Sequence, residues 1–308
     1  MASVLVVGGT RFIGRAIVEG LLADGHAVCL LHRGRTKAES GLRVNEILGD
    51  RRGGQALALA FASPPDWIVD TCAYEDEDLA SILHRKPPGL QRYILISTVS
   101  VYGDMHEFPT QEDHPYFEGD PGKSAAARYA AGKIACEARL RASGIPFTIL
   151  RPAFVYGPWN TLYREAYYFD LLAKGEPVTA GETGGFLTQL GHAEDLAAAV
   201  LACARSERAR GGIYNVTGPA MTQSRVIQTI LDAASPGSAL AEGPAPCAPY
   251  GIKRHLCVST ARLSTDTPWR PRIGLLDGMR STFEWYKAHG EERRSLWERG
   301  AQRSNQTR

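Results

Sequence analysis

The chain has no apolar run of the roughly 18 residues that a bilayer crossing needs, no Cys-x-x-Cys pair and almost no net charge. Each shortfall removes a class. No spanning helix is expected, and because the first residues enter a strand-like segment directly, no signal peptide is expected either. The six cysteines, at 29, 72, 136, 203, 247 and 257, are scattered through apolar contexts. They read as reduced, buried thiols of a cytoplasmic protein, and no metal site is expected. Lys and Arg number 35 against 33 Asp and Glu, a formal charge of +2. That balance gives no overall pull toward nucleic acid or a membrane surface.

What is present is a core-forming composition and a punctuated pattern. Apolar residues make up 44% of 308, enough for one large α/β domain with a smaller lobe. Apolar strand-like runs at Ser3 to Val7, Ala27 to Leu31, Val44 to Leu48, Trp67 to Thr71, Arg92 to Ser97 and Pro146 to Leu150 are separated by helical patterns. Those helices are expected at Phe12 to Ala23, Gly53 to Phe61, from Glu75, and from Ala125 to Ser143. Strands spaced by helices imply a doubly wound parallel sheet. Residues 103 to 127, rich in Pro, Gly, Asp and Ser, read as an irregular loop. Further on, helices are expected at Tyr163 to Leu172, Asp195 to Ala204 and Leu275 to His289, with strands at Pro177 to Ala180 and Gly212 to Val216. Residues 234 to 249 read as a linker. The expected division is a dinucleotide-binding domain over 1–155, a substrate lobe over most of 156–290 with pieces returning to the sheet, and a polar, mobile tail over 291–308.

The first motif is Gly8-Gly9-Thr10-Arg11-Phe12-Ile13-Gly14, between a strand and a helix. Gly8 allows a tight turn, Gly14 lets helix and strand approach, and the first helical amides then face a diphosphate. Arg11 stands where the middle glycine of the common pattern would be, and its guanidinium can reach a phosphate. After the second strand comes His32-Arg33-Gly34-Arg35, with no carboxylate to accept bonds from a ribose 2′-hydroxyl. Arg33 and Arg35 instead suit a 2′-phosphate, so NADP(H) is expected over NAD(H), unless both are solvated loop arginines. Asp50, followed by Arg51, closes the third strand and suits the adenine amino group; a plain turn aspartate is the alternative. Ser97-Thr98 ends the fifth strand at the edge where ligands of such sheets bind. Tyr129 and Lys133 stand one helical turn apart. A free phenol titrates near pH 10, so service as a base near pH 7 needs a shift of roughly three units, about 4 kcal/mol. A neighbouring ammonium has the right sign for that shift.

With these segments in this order, the chain resembles the extended short-chain dehydrogenase/reductase family, of the NAD-dependent epimerase/dehydratase type. The resemblance spans residues 1 to about 220. It also rests on Arg151-Pro152-Ala153-Phe154-Val155-Tyr156-Gly157-Pro158 and Gly191-His192-Ala193-Glu194-Asp195-Leu196. It implies a Rossmann-type sheet with a smaller C-terminal substrate lobe, and Thr98, Tyr129 and Lys133 as catalytic residues. It implies cofactor contacts from Gly8 to Gly14, Ala73, Tyr129, Lys133 and the Pro152 to Val155 segment. Tyr102, Asn160, Arg164 and His192 fall where substrate is met, and a homodimer through the long helix is implied. Two departures stand out. The Asp-Glu pair that follows the threonine in the sugar 4,6-dehydratases is Val99-Ser100 here, which argues against water elimination. The Arg11 turn and the Arg33-Gly34-Arg35 strand end look like a branch that includes chloroplast stem-loop RNA-binding proteins as well as bacterial reductases and epimerases.

The expected activity is therefore hydride transfer at a carbonyl or secondary alcohol of a small molecule, one carrying a nucleotide-linked sugar or nucleoside-like part. A nucleotide-sugar epimerase holding NAD tightly is the first alternative. A non-catalytic RNA-binding relative is the second, disfavoured by the intact Tyr129/Lys133 pair and the near-neutral charge.

Overall fold

A computed structural model describes residues 1–34, 44–85, 87–244 and 249–305. In chain order the elements are β1 (Ser3–Val7), α1 (Phe12–Ala23), β2 (Ala27–His32), β3 (Asn45–Leu48), α2 (Gly54–Ala60), β4 (Trp67–Asp70), α3 (Asp76–Arg85), β5 (Arg92–Ile96), α4 (Ala125–Ala142), β6 (Phe147–Pro152), β7 (Phe154–Tyr156), α5 (Glu165–Ala173), β8 (Leu187–His192), α6 (Ala193–Arg205), β9 (Gly212–Val216), β10 (Ala220–Thr222), α7 (Gln223–Ala234), α8 (Ala261–Asp266) and α9 (Leu275–Asn305).

Seven strands form one parallel sheet in the order β3-β2-β1-β4-β5-β6-β9. Strand alternation sorts β1 between two cores. Val4 and Val6 pack with Ile17, Val18 and Leu21 of α1 and with Leu196 and Val200 of α6. Leu5 and Val7 face Leu57 of α2, Leu79 and Ile82 of α3, and Cys136 and Leu140 of α4. Both faces are thus covered, as an all-parallel sheet requires. Chain order reverses between β1 and β4, so the crevice at that point, outside the strands' carboxyl ends, is where a ligand fits.

A second sheet, β10-β8-β7, packs with α5, α7 and α9 around Tyr156, Phe169, Ile227, Ile230 and Met279. The three strands escaped the sequence patterns because β7 and β10 are only three residues long and β8 contains a glycine, whereas α5 and α9 form where helices were expected. The strand expected over Pro177 to Ala180 does not form. Val178 and Ala180 instead fill the second core, and the Val178 carbonyl accepts from the Ala241 amide at 2.8 Å. The segment after Gly290, expected as a mobile tail, continues α9 to Asn305. Arg294 ties that extension to the buried Asp170 of α5 at 3.3 Å, an anchor invisible in a polar sequence. Among the described residues no helix is long and apolar enough to cross a membrane.

Candidate active site

The glycine turn is compact because its neighbours leave no alternative. A Cβ on Gly14 would lie 2.8 Å from the Gly9 backbone, and one on Gly8 would meet the Thr71 hydroxyl at 2.3 Å. Arg11, at the N-cap of α1, offers no side-chain acceptor to the helix. The first-turn amides are therefore left for an acceptor from outside, and they open on a cleft of about 1290 Å³. That space exceeds the usual range for a drug-sized ligand and admits an extended dinucleotide. Its lining includes Gly8, Thr10, Arg11, Phe12, Ile13 and Gly14 at one end, and Thr98, Tyr129, Lys133, Pro152 and Val155 further along.

At the end of the cleft beside β2, Arg33 is exposed on the lining. His32 is turned to Glu46 at 2.9 Å, and Arg35 lies outside the described residues. Asp50 lines the cleft, while one of its oxygens accepts from the Arg52 amide at 2.8 Å. Arg51, expected to serve the cofactor, borders the cleft, but its guanidinium is taken by the fully buried Asp70, in two bonds of 2.7 and 2.8 Å. Burial forces that pairing: an unpaired carboxylate at the end of β4 would cost several kcal/mol. Ala73 is fully buried and does not line the cleft; its neighbours Cys72 and Tyr74 do.

The centre of the site is built by β5 and α4. The Ser124 hydroxyl caps α4 by accepting from the Ala127 amide, which sets the helix start. Tyr129 and Lys133 then project from one face. Lys133 is buried, and its ammonium donates to the Ile96 carbonyl at 2.8 Å. Burial lowers its proton affinity, and Asp70 raises it again. Tyr129 is about a third exposed, at 36%. Burial of its phenol raises the pKa, while the Thr98 hydroxyl and the Arg164 charge pull it down. The Thr98 hydroxyl also donates to the Ser100 hydroxyl at 3.2 Å and accepts from the Ser100 amide at 3.1 Å.

Three residues expected at the substrate do not reach the cleft. Tyr102 is buried, its hydroxyl donating to Asn215 at 2.6 Å. His192 caps α6 through Nδ1 beneath Gly157, and its ring meets Tyr156 edge-on. Asn160 donates to the buried Glu165 at 2.8 Å, and Glu165 also accepts from Tyr250 at 2.5 Å. Each sits in a loop or cap whose polar groups would otherwise be buried without partners. Arg164, by contrast, does line the cleft, its guanidinium 4.9 Å from the Phe154 ring centre.

The sequence from 4 to 217 matches the NAD dependent epimerase/dehydratase family. The chain belongs to that family. A chloroplast stem-loop binding protein of 41 kDa from Arabidopsis thaliana is 30% identical over 70% of this chain and 58% of its own length. The 2′-dehydrokanamycin reductase of Streptomyces kanamyceticus is 27% identical over 69% and 61%. The chain thus spans about three fifths of these relatives. Against a UDP-glucose 4-epimerase structure from Thermotoga maritima the TM-score is 0.77, with 18% identity, covering 93% of this chain and 99% of that one.

Sequence patterns missed several members of this family member's site. Ile252, Arg254 and Leu256 border the cleft from a segment with no regular structure. Glu137 offered a signal that went unused: it follows Lys133 by four, on the same helix face, and grips the end of β5 from behind.

Proposed function

We propose that the protein is an NADP(H)-dependent oxidoreductase acting on a ketone or secondary alcohol of a nucleotide-linked sugar or nucleoside-like molecule. The observation that carries this is the convergence of Thr98, Tyr129 and Lys133 on one cleft that also holds the uncapped N-terminus of α1. A bound nicotinamide cofactor supplies or accepts the hydride. The α1 amides and Arg11 hold its diphosphate, and Arg33 meets a 2′-phosphate. Lys133 spends one N–H on Ile96 and keeps two for ribose hydroxyls. Tyr129 gives a proton to the carbonyl oxygen during reduction, while the Thr98 hydroxyl orients that oxygen. Arg164, across the cleft, meets an anionic part of the substrate.

Supporting relatives include the kanamycin-type reductase above and a UDP-glucose 4-epimerase of Mycolicibacterium smegmatis, 25% identical over 92% of this chain. The latter sustains a second reading, an epimerase with resident NAD. The experiment is to purify the protein, extract and identify any bound dinucleotide, and follow NADPH and NADH oxidation with a panel of keto sugar nucleotides. NADPH consumption supports the reductase. Resident NAD with turnover needing no added cofactor supports the epimerase, and neither result leaves both standing.

The same proposal places the protein in the cytoplasm, without nucleic-acid or membrane partners, where the deeply buried Cys136 and Cys203 stay reduced; burial pushes both thiols up to about 12. It includes a homodimer through α3 and α4, whose outer groove is lined by Ala80, Leu83, Ala135, Ala138 and Ala142. Sedimentation of the wild type and of Ala138→Glu tests that contact.

A further inference from the structure

Tyr74 presents an unusual combination of a locked main chain and a displayed ring. Its amide donates to Asp78 Oδ2 at 2.8 Å, the Glu75 amide donates to the same oxygen at 3.1 Å, and Arg52 holds the other oxygen of that carboxylate at 3.0 Å. On its other side α4 presses close: a Cβ at Gly132 would lie 2.1 Å from the Tyr74 carbonyl oxygen. Gly132 thus lets α4 approach this one peptide, one residue before Lys133. The residue is 52% exposed and lines the cleft. Among the described residues its hydroxyl has no hydrogen bond. A large aromatic side chain on a fixed backbone, left half in water, is not explained by core packing.

Its neighbour explains it. The Lys133 ammonium lies 5.0 Å from the Tyr74 ring centre and 5.8 Å from that of Tyr129. The two rings are 6.3 Å apart and inclined at 46°. Among the described residues the buried ammonium donates a hydrogen bond only to the Ile96 carbonyl. A second aromatic face supplies attraction without consuming an N–H, because the ring quadrupole needs no directed bond.

We infer that Tyr74 is a positioning residue for Lys133: its ring holds the ammonium against Tyr129, so that two N–H groups stay aimed at the ribose of a bound dinucleotide. This rests on the dinucleotide reading above. It assigns Tyr74 no proton transfer and no hydrogen bond to a ligand.

The test is a double-mutant cycle read by equilibrium binding of NADPH, followed through its fluorescence, in the full chain. Variants are Tyr74→Leu and Tyr74→Phe, each alone and with Lys133→Met, with thermal unfolding as the check on folding. Tyr74→Leu is expected to weaken binding about three- to fivefold, the scale of a partly exposed cation–π contact. Tyr74→Phe keeps the face and should stay within about twofold of wild type. With Lys133→Met in place, Tyr74→Leu should have no further effect. Equal losses in both backgrounds would mean that the ring touches the ligand directly and would overturn the inference. So would a Phe variant as weak as the Leu variant, or a Leu variant as tight as wild type. A wild type that binds neither NADPH nor NADH would take down the dinucleotide reading itself, and this inference with it.

Discussion

The carboxylate of Glu137 meets the guanidinium of Arg151 at 2.6 Å, with both side chains out of contact with solvent. The same carboxylate accepts the Ser97 hydroxyl at 2.5 Å and the Tyr116 hydroxyl at 2.9 Å. One helix residue therefore fixes the end of β5, next to Thr98, and the end of β6. Removing one partner leaves the other charge buried and alone. Arg151→Met should cost about 3–5 kcal/mol, seen as a lower midpoint in urea unfolding. A loss below about 1 kcal/mol would show that water reaches the pair and that the end of β5 is held some other way.

On the proposed mechanism Tyr129→Phe deletes the proton donor and leaves the cleft's shape. Turnover should fall by about 10²- to 10⁴-fold with NADPH affinity nearly unchanged. Lys133→Met should lower both, because it removes the N–H groups proposed to hold the ribose. Steady-state kinetics beside fluorescence titration separates the two patterns; an active Phe variant would place the proton donor elsewhere.

The pH dependence follows from the groups around the phenol. With Tyr129 as the proposed proton donor, reduction needs its protonated form, so the rate should hold through neutral pH and fall only as the phenol ionises. Oxidation needs the phenolate and should rise with pH. Burial holds the phenol above its ordinary value, and Arg164 draws it down. Arg164→Leu removes that lowering influence, so the rising limb of the oxidation profile should move to higher pH. The measurement is kcat against pH for both proteins at saturating alcohol, and a limb that stays in place would show that Arg164 acts on substrate alone.

Cofactor choice should depend on Arg33, the exposed cation at the end of β2. Arg33→Ala should lower kcat/KM for NADPH about tenfold, the scale of one charged hydrogen bond, and leave NADH use alone. A parallel drop with NADH would relocate Arg33 to a contact that both cofactors share.

The sequence was most informative where periodicity and short-range spacing carry the physics. The strand and helix alternation of the first 150 residues emerged nearly intact, because buried parallel strands are continuous apolar runs and α1 and α4 have clear ends. Tyr129 and Lys133 share a face by helical geometry alone, and the glycine turn is a local constraint. By itself, then, the sequence determined the sheet, the glycine turn and the phenol–ammonium pair. Tertiary structure decided which polar residues are free to act. Arg51, Tyr102, Asn160 and His192 had suitable chemistry and position, yet each is spent on a buried partner or a helix cap. Arg164 and Tyr74 stay open to the cleft. For Arg51 and Tyr102 no local pattern shows this, because their partners lie 19 and 113 positions away and only the folded packing brings them together; Asn160 and His192 find theirs 5 and 2 positions away, but only burial of those segments makes the bonds obligatory.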